Sequence, residues 1–205
     1  MNNNSLNGKI IEVKNLSKDF LGVKALSNFY FHLCKGEVHC LIGENGAGKS
    51  TFIKILSGAI LPNRGEIYIE GEKYNSLNPS IARKLGIQTV YQDEDLVSSV
   101  TVAENIFLGS QKDNQRFFMN YRGIFKSAKE IMASMNISIR VDELYGNLSP
   151  ADKQFVKIIK ALVPSPKVLI LDEPTVAFNV NDVKLILKFV KKIREDGISV
   201  IYISH

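Results

Sequence analysis

Short apolar runs, separated by glycines and charged residues, set the rhythm of this chain. Ile10 to Val13 and Phe29 to Leu33 read as strands, and Glu66-Ile67-Tyr68-Ile69-Glu70-Gly71 alternates apolar with polar as a half-buried strand does. Ile87 to Tyr91, Val168 to Leu171 and Ser199 to Ile203 are β-branched, apolar and bounded by glycine, proline or charge. Runs of this kind suit parallel strands covered on both faces. Val38-His39-Cys40-Leu41-Ile42 shares the character and is expected to be a buried strand too.

Between the strands the apolar period lengthens. Thr51 to Ser57 carries Phe52, Ile55 and Leu56 at helical spacing before Gly58. Thr101 to Leu162 is mostly helix-compatible, with Phe155, Ile158, Ile159 and Leu162 on one face, Lys153, Lys157 and Lys160 opposite, and Pro164 and Pro166 as the stop. Asn181 to Arg194 is expected to turn Val183, Ile186, Leu187, Val190 and Ile193 inward, with Gly197 as terminator. Strands alternating with crossover helices predict an α/β core.

One turn in this pattern carries chemistry. Gly43-Glu44-Asn45-Gly46-Ala47-Gly48-Lys49-Ser50 fits G-x-x-x-x-G-K-[ST] and lies between a strand-like run and a helix-like run. Glycines let successive backbone N–H groups curl around phosphate oxygens, the following helix points its positive end inward, and Lys49 and Ser50 supply a cation and a Mg²⁺ ligand. This predicts a nucleoside triphosphate site. A second element, Val168-Leu169-Ile170-Leu171-Asp172-Glu173, is an apolar strand ending in two carboxylates. Such an ending sets Asp172 to hold the metal through water and Glu173 to polarise an attacking water, a general-base role worth about 10²- to 10⁴-fold. The plainer alternative is an Asp-Glu pair opening a turn before Pro174.

Composition narrows the setting. At 205 residues and 45% hydrophobic, the chain is expected to form one globular unit, without the length for two ordinary domains. Its apolar runs are too short to span a bilayer, and Met1-Asn2-Asn3-Asn4-Ser5 lacks a targeting pattern. Cys34 and Cys40 are the only cysteines, which suits reduced packing residues in a cytosolic compartment better than a disulfide or zinc site. The net charge of +5 is spread along the chain, with Lys188, Lys191 and Lys192 clustered on an expected solvent face. No basic stripe interleaved with aromatics points to nucleic acid.

With these elements the chain resembles the ATP-binding cassette ATPases. Gln92 follows the Ile87 to Tyr91 strand, Leu148-Ser149 opens a helix, and His205 follows the last strand. Among them it looks most like the cassettes of simple-sugar importers, through Gly22-Val23-Lys24-Ala25-Leu26, the phosphate loop with Thr51, Thr101-Val102-Ala103-Glu104-Asn105-Ile106 and Val200-Ile201-Tyr202-Ile203-Ser204-His205. The resemblance implies a RecA-like P-loop α/β core with an N-terminal antiparallel β subdomain and a helical subdomain inserted at about 93–165. It also implies ATP and Mg²⁺ as cofactors. Phe20 would stack on adenine, its alternative being an ordinary core aromatic. Gly43, Asn45, Gly46, Ala47, Gly48, Lys49, Ser50 and Thr51 would hold phosphates. Gln92 would complete the Mg²⁺ shell beside Ser50 and Asp172, its alternative being a surface turn residue, and His205 would contact the γ-phosphate. Implied partners are a second cassette, which Ser149 would face, a transmembrane permease docking near Gln92 to Leu108, and a solute-binding protein at one remove. The implied location is the cytoplasmic face of the cell membrane.

Three departures stand out. Where the family signature reads Leu-Ser-Gly-Gly-Gln, this chain has Leu148-Ser149-Pro150-Ala151-Asp152. Ser149 at the N-cap, Pro150 at N1 and Asp152 at N3 are expected to form a capping box. Pro150 offers no N–H, and Asp152 would set an anion near a partner's γ-phosphate, which predicts weakened hydrolysis. Val176-Ala177-Phe178-Asn179 also departs from the small-residue run usual after Pro174-Thr175. The chain ends at His205 where family members continue, so a truncated cassette with intact ATP binding and low turnover is expected. Alternatives are a non-transport cassette ATPase and a nucleotide-binding fragment with little or no hydrolysis.

Overall fold

Strands β1 (Lys9–Phe20) and β2 (Val23–Cys34) pair antiparallel through a two-residue turn, Leu21-Gly22, with both residues at positive φ. That turn matches the twist of a hairpin. The structure is a computed structural model and describes residues 8–93, 96–109, 121–175 and 178–204. β1 runs well past the Ile10 to Val13 stretch that alternation alone suggests. The apolar phase breaks at Lys14-Asn15, and a register shift there, with Asn15 at φ 51°, returns Leu16 to the buried side. β4 (Arg64–Ile69) lies on the other side of β1, and β5 (Glu72–Tyr74) completes an antiparallel sheet ordered β2-β1-β4-β5.

The described residues divide into two units. The first comprises Met1–Gln92, Pro166–Pro174 and Ile193–His205, and the second Asp93–Ser165 and Thr175–Lys192. Besides the antiparallel sheet, the first unit holds a parallel sheet ordered β3-β8-β7-β6, from β3 (Val38–Ile42), β6 (Ile87–Val90), β7 (Val168–Asp172) and β8 (Ser199–Ser204). Every residue of β7 is buried, as its unbroken apolar run requires. β3 departs from expectation. Among the described residues it is an edge strand, with Cys40 exposed and Ile42 77% exposed.

Helix α1 (Lys49–Leu56) joins the two sheets of this unit. Its Phe52 ring meets Phe29 and Phe31 of β2 at 4.9 Å each, and Phe31 stands edge-on to His39 of β3 at 4.8 Å. A short helix α2 (Pro79–Lys84), not foreseen from periodicity, is capped by Asn78, whose side-chain oxygen accepts from the Ile81 amide at 2.9 Å.

The second unit is helical: α3 (Val102–Phe107), α4 (Tyr121–Ser134), α5 (Pro150–Leu162) and most of α6 (Val180–Glu195). α3 opens with a full capping box. The Glu104 amide donates to the Thr101 hydroxyl oxygen, and the Thr101 amide donates back to the Glu104 carboxylate at 2.7 Å. On α6 the inward set differs from expectation: Ile186, Phe189, Val190 and Ile193 are buried, while Leu187 is exposed. Phe189 takes the interior place because it meets Phe155 of α5 edge-to-face at 5.5 Å. Lys188 and Lys191 are exposed as expected, but Lys192 is only partly so.

Candidate nucleotide site

The phosphate loop leaves the carboxyl end of β3 and enters α1. Glu44 to Ala47 are exposed, Gly46 and Gly48 take φ of 84° and 89°, and Gly48 caps α1 without a side-chain acceptor. Unpaired helix-start amides with no side chain over them are the donor set that an anion requires. A Cβ at Gly48 would fall 2.4 Å from the Ala25 carbonyl oxygen and 2.8 Å from Leu26 Cδ2, whereas one at Gly46 would meet nothing. Glycine is therefore required at 48 by both backbone angle and close approach. The Lys49 ammonium bends back across the loop and donates to the carbonyls of Gly43 and Glu44, the latter at 3.0 Å. Ser50 lies exposed in the first turn of α1, and Thr51 follows half-buried.

Strand register brings the carboxylates to the same end. Asp172 of β7 and Leu41 of β3 are both level with Ile203 of β8, one strand spacing to either side. Asp172 is buried at the last strand position. Glu173 is half-buried at φ 48°, and its amide donates to the Ile203 carbonyl at 3.1 Å. A non-glycine residue held at such angles costs on the order of 1–3 kcal/mol and persists where the surroundings fix it. Gln92 is exposed just beyond β6, whose Val90 is level with Leu171. Next to it the Tyr91 hydroxyl donates to Ser57 Oγ at 2.6 Å, tying this end of β6 to the end of α1. Loop, Gln92, Asp172 and Glu173 thus share the carboxyl edge of one parallel sheet, the place where open α/β sheets hold ligands.

Phe20 is not a core aromatic. It ends β1 opposite Val23, is 45% exposed, and has the Lys18 ammonium 5.1 Å from its ring centroid. His205 lies outside the described residues, as do Val176 and Ala177.

In the second unit Ser149 caps α5 and Pro150 stands at N1, but the capping box is not closed as in α3. The Asp152 amide donates to Ser149 Oγ at 3.1 Å, and the Ser149 hydroxyl donates to the Asp152 carboxylate at 2.8 Å. The Asp152 carboxylate accepts from the Ser149 hydroxyl, whereas the Glu104 carboxylate of α3 accepts from both the hydroxyl and the amide of Thr101. Asn179 is a cap the sequence reading missed: its side-chain oxygen accepts from the amides of Asn181 and Asp182 at 2.9 and 3.0 Å. Its position just before an amphipathic run was the available signal.

Several carboxylates of the scaffold are lowered, Glu70 and Glu104 among them. The Lys167 ammonium beside Glu70 holds that carboxyl below its ordinary range, assisted by Lys35. Hydrogen bonds from Thr101 do the same for Glu104.

A parallel sheet with a phosphate loop and paired carboxylates at one edge, joined to an antiparallel β sheet, defines a P-loop nucleotide-binding cassette. The chain belongs to the ABC transporter family, whose sequence model matches residues 26–176. It is 42% identical over 196 residues to a ribose import ATP-binding protein of a Ruegeria species, covering 96% of this chain and 38% of that protein. It is also 42% identical over 198 residues to a galactofuranose transporter ATP-binding protein of Escherichia coli, covering 96% of this chain and 39% of that one. The chain thus spans less than two fifths of these relatives' length. Among solved structures, an ATP-binding cassette of an ABC transporter in its ADP conformation superimposes with a TM-score of 0.86 at 26% identity, over 96% of this chain and 81% of that one.

Proposed function

We propose that this chain is the nucleotide-binding portion of an ABC importer ATPase, coupling MgATP binding and hydrolysis to uptake of a simple sugar. The observation that carries the reading is the shared sheet edge of the phosphate loop, Asp172 and Glu173, in a chain similar to ribose and galactofuranose import ATP-binding proteins. The residues fit the nucleotide: Gly48 leaves helix-start amides uncovered, and Lys49 already uses its ammonium to bridge loop oxygens.

In this reading the amides of residues 45–51 and Lys49 grip the phosphates, Gly43 sets the turn, and Phe20 offers its exposed ring to the base. Ser50, Gln92 and Asp172 supply protein ligands to Mg²⁺, which when bound neutralises phosphate charge. Glu173 orients and deprotonates the attacking water, and His205 senses the γ-phosphate. Ser149 faces the nucleotide of a second cassette. A membrane permease and, through it, a solute-binding protein complete the assembly at the cytoplasmic face of the membrane, with no nucleic acid involved. Among the described residues no helix is long and apolar enough to cross a bilayer.

A second reading, nucleotide binding with little turnover, is favoured by one observation: the Ser149 hydroxyl is committed to Asp152. One experiment separates them. MgATP binding and steady-state hydrolysis are measured on the chain and its Glu173→Gln variant, with and without an added second cassette. Turnover that Glu173→Gln removes supports the ATPase reading; binding with no turnover even in the paired form supports the second.

A further inference from the structure

The second unit carries a half-open cavity of about 500 Å³. One wall forms where α4 ends: Asn136 turns at φ 56°, and residues Met135 to Ile139 line the space together with residues of α5 and α6. α6 presents Leu185, Lys188, Phe189 and Lys192 to this space, the i, i+3, i+4, i+7 spacing of one helix stripe. α5 presents Asp152 and Phe155, one turn apart. The wall is thus built from the edge-to-face Phe155–Phe189 pair, with Ile137 and Leu185 beside it, and Leu185 is 52% exposed.

We propose that this cavity binds a small amphipathic anion, an apolar body of aromatic or acyl type carrying one carboxylate, sulfonate or phosphate. The volume falls in the range of small-molecule sites, which are mostly apolar with a few placed polar groups. Charge selects the sign. Lys184 and Lys188 stand one turn apart on α6, a like-charge pair that an anion relieves. Lys188 and Lys192 line the cavity against one acid among the lining residues, Asp152, so the balance of charge there is positive. The apolar body covers Leu185 and the aromatic pair while the anionic head meets Lys188, which is exposed.

The test uses 8-anilinonaphthalene-1-sulfonate, an aromatic body with one sulfonate, titrated by fluorescence into the purified chain with MgATP binding as the fold control. Saturable binding is expected, displaced by decanoate but not by equal inorganic phosphate or by MgATP. Lys188→Glu is expected to weaken it about tenfold, while Lys126→Glu, the same charge change on α4, leaves it unchanged. Absence of saturable binding, displacement by phosphate or MgATP, or equal loss in both variants would overturn the proposal. Leu185→Asp supplies an independent variant, expected to weaken the probe without altering MgATP binding; an unchanged probe affinity would count against the apolar wall.

Discussion

The Ser149 hydroxyl donates to the Asp152 carboxylate at 2.8 Å, while the Asp152 amide donates to the same hydroxyl oxygen at 3.1 Å. A serine has one hydroxyl proton. Spent on Asp152, it is withdrawn from any phosphate in front of the helix, and the carboxylate adds a repelling charge there. Replacing Ala151 by Gly and Asp152 by Gln together is expected to raise steady-state ATPase about tenfold in the paired state. A rate no higher than that of the parent chain would remove this account of weakened turnover.

Glu173 and Lys49 are expected to separate binding from chemistry. Glu173→Gln preserves shape and backbone but removes the base, so MgATP affinity holds while turnover falls about 10²- to 10⁴-fold. Lys49→Ala removes the ammonium itself and is expected to weaken nucleotide binding. Calorimetric titration beside a phosphate-release assay distinguishes the two patterns.

The two loop glycines differ in a way that mutagenesis can read. Gly46→Ala meets open space and bears only the positive-φ cost of about 1 kcal/mol, whereas Gly48→Ala drives a methyl into the Ala25 carbonyl and Leu26. Nucleotide binding is expected to survive the first and fail in the second. Equal binding by both variants would contradict the close approach at Gly48.

Asn105 shows how a polar residue holds the second unit. It is fully buried; its side chain accepts from the Val97 amide at 2.9 Å and donates to the Val97 and Thr101 carbonyls at 2.9 and 3.2 Å. Asn105→Leu leaves the Val97 groups without these bonds and is expected to lower stability by about 2–4 kcal/mol. The urea midpoint reports it.

Acid sensitivity follows from Glu104, whose carboxyl is held below its ordinary range by Thr101. A carboxylate lowered in the folded state adds stability above its unfolded range, and that stability is lost as pH falls through the folded value. Glu104→Gln is therefore expected to lower stability near neutrality and to flatten its decline under acid. A parallel offset at every pH, in unfolding followed from neutral to acid conditions, would contradict the assignment.

The strands and the phosphate loop were legible in the sequence because each is local: an apolar run, a glycine with a forced angle, a lysine beside it. The placement of Asp172 near the loop was legible only as a motif, since its cause is the register of β7, β8 and β3, which links residues more than 100 positions apart. Leu187 and Phe189 were exchanged in the reading of α6 because periodicity gives a helix face only to within a residue. Phe155, on another helix, decides between them. The burial of β3 was misjudged for a similar reason, because an apolar run does not say whether its strand is central or at an edge.

That edge position gives the nucleotide site a chemical reporter. Cys40 is exposed midway along the strand that delivers the phosphate loop, and among the described residues β3 has β8 as its only strand neighbour. Anything that lays a further strand on this edge shields Cys40. Labelling of Cys40 by a thiol reagent therefore reads whether the edge of the loop's supporting strand is open or covered, with no nucleotide needed in the tube.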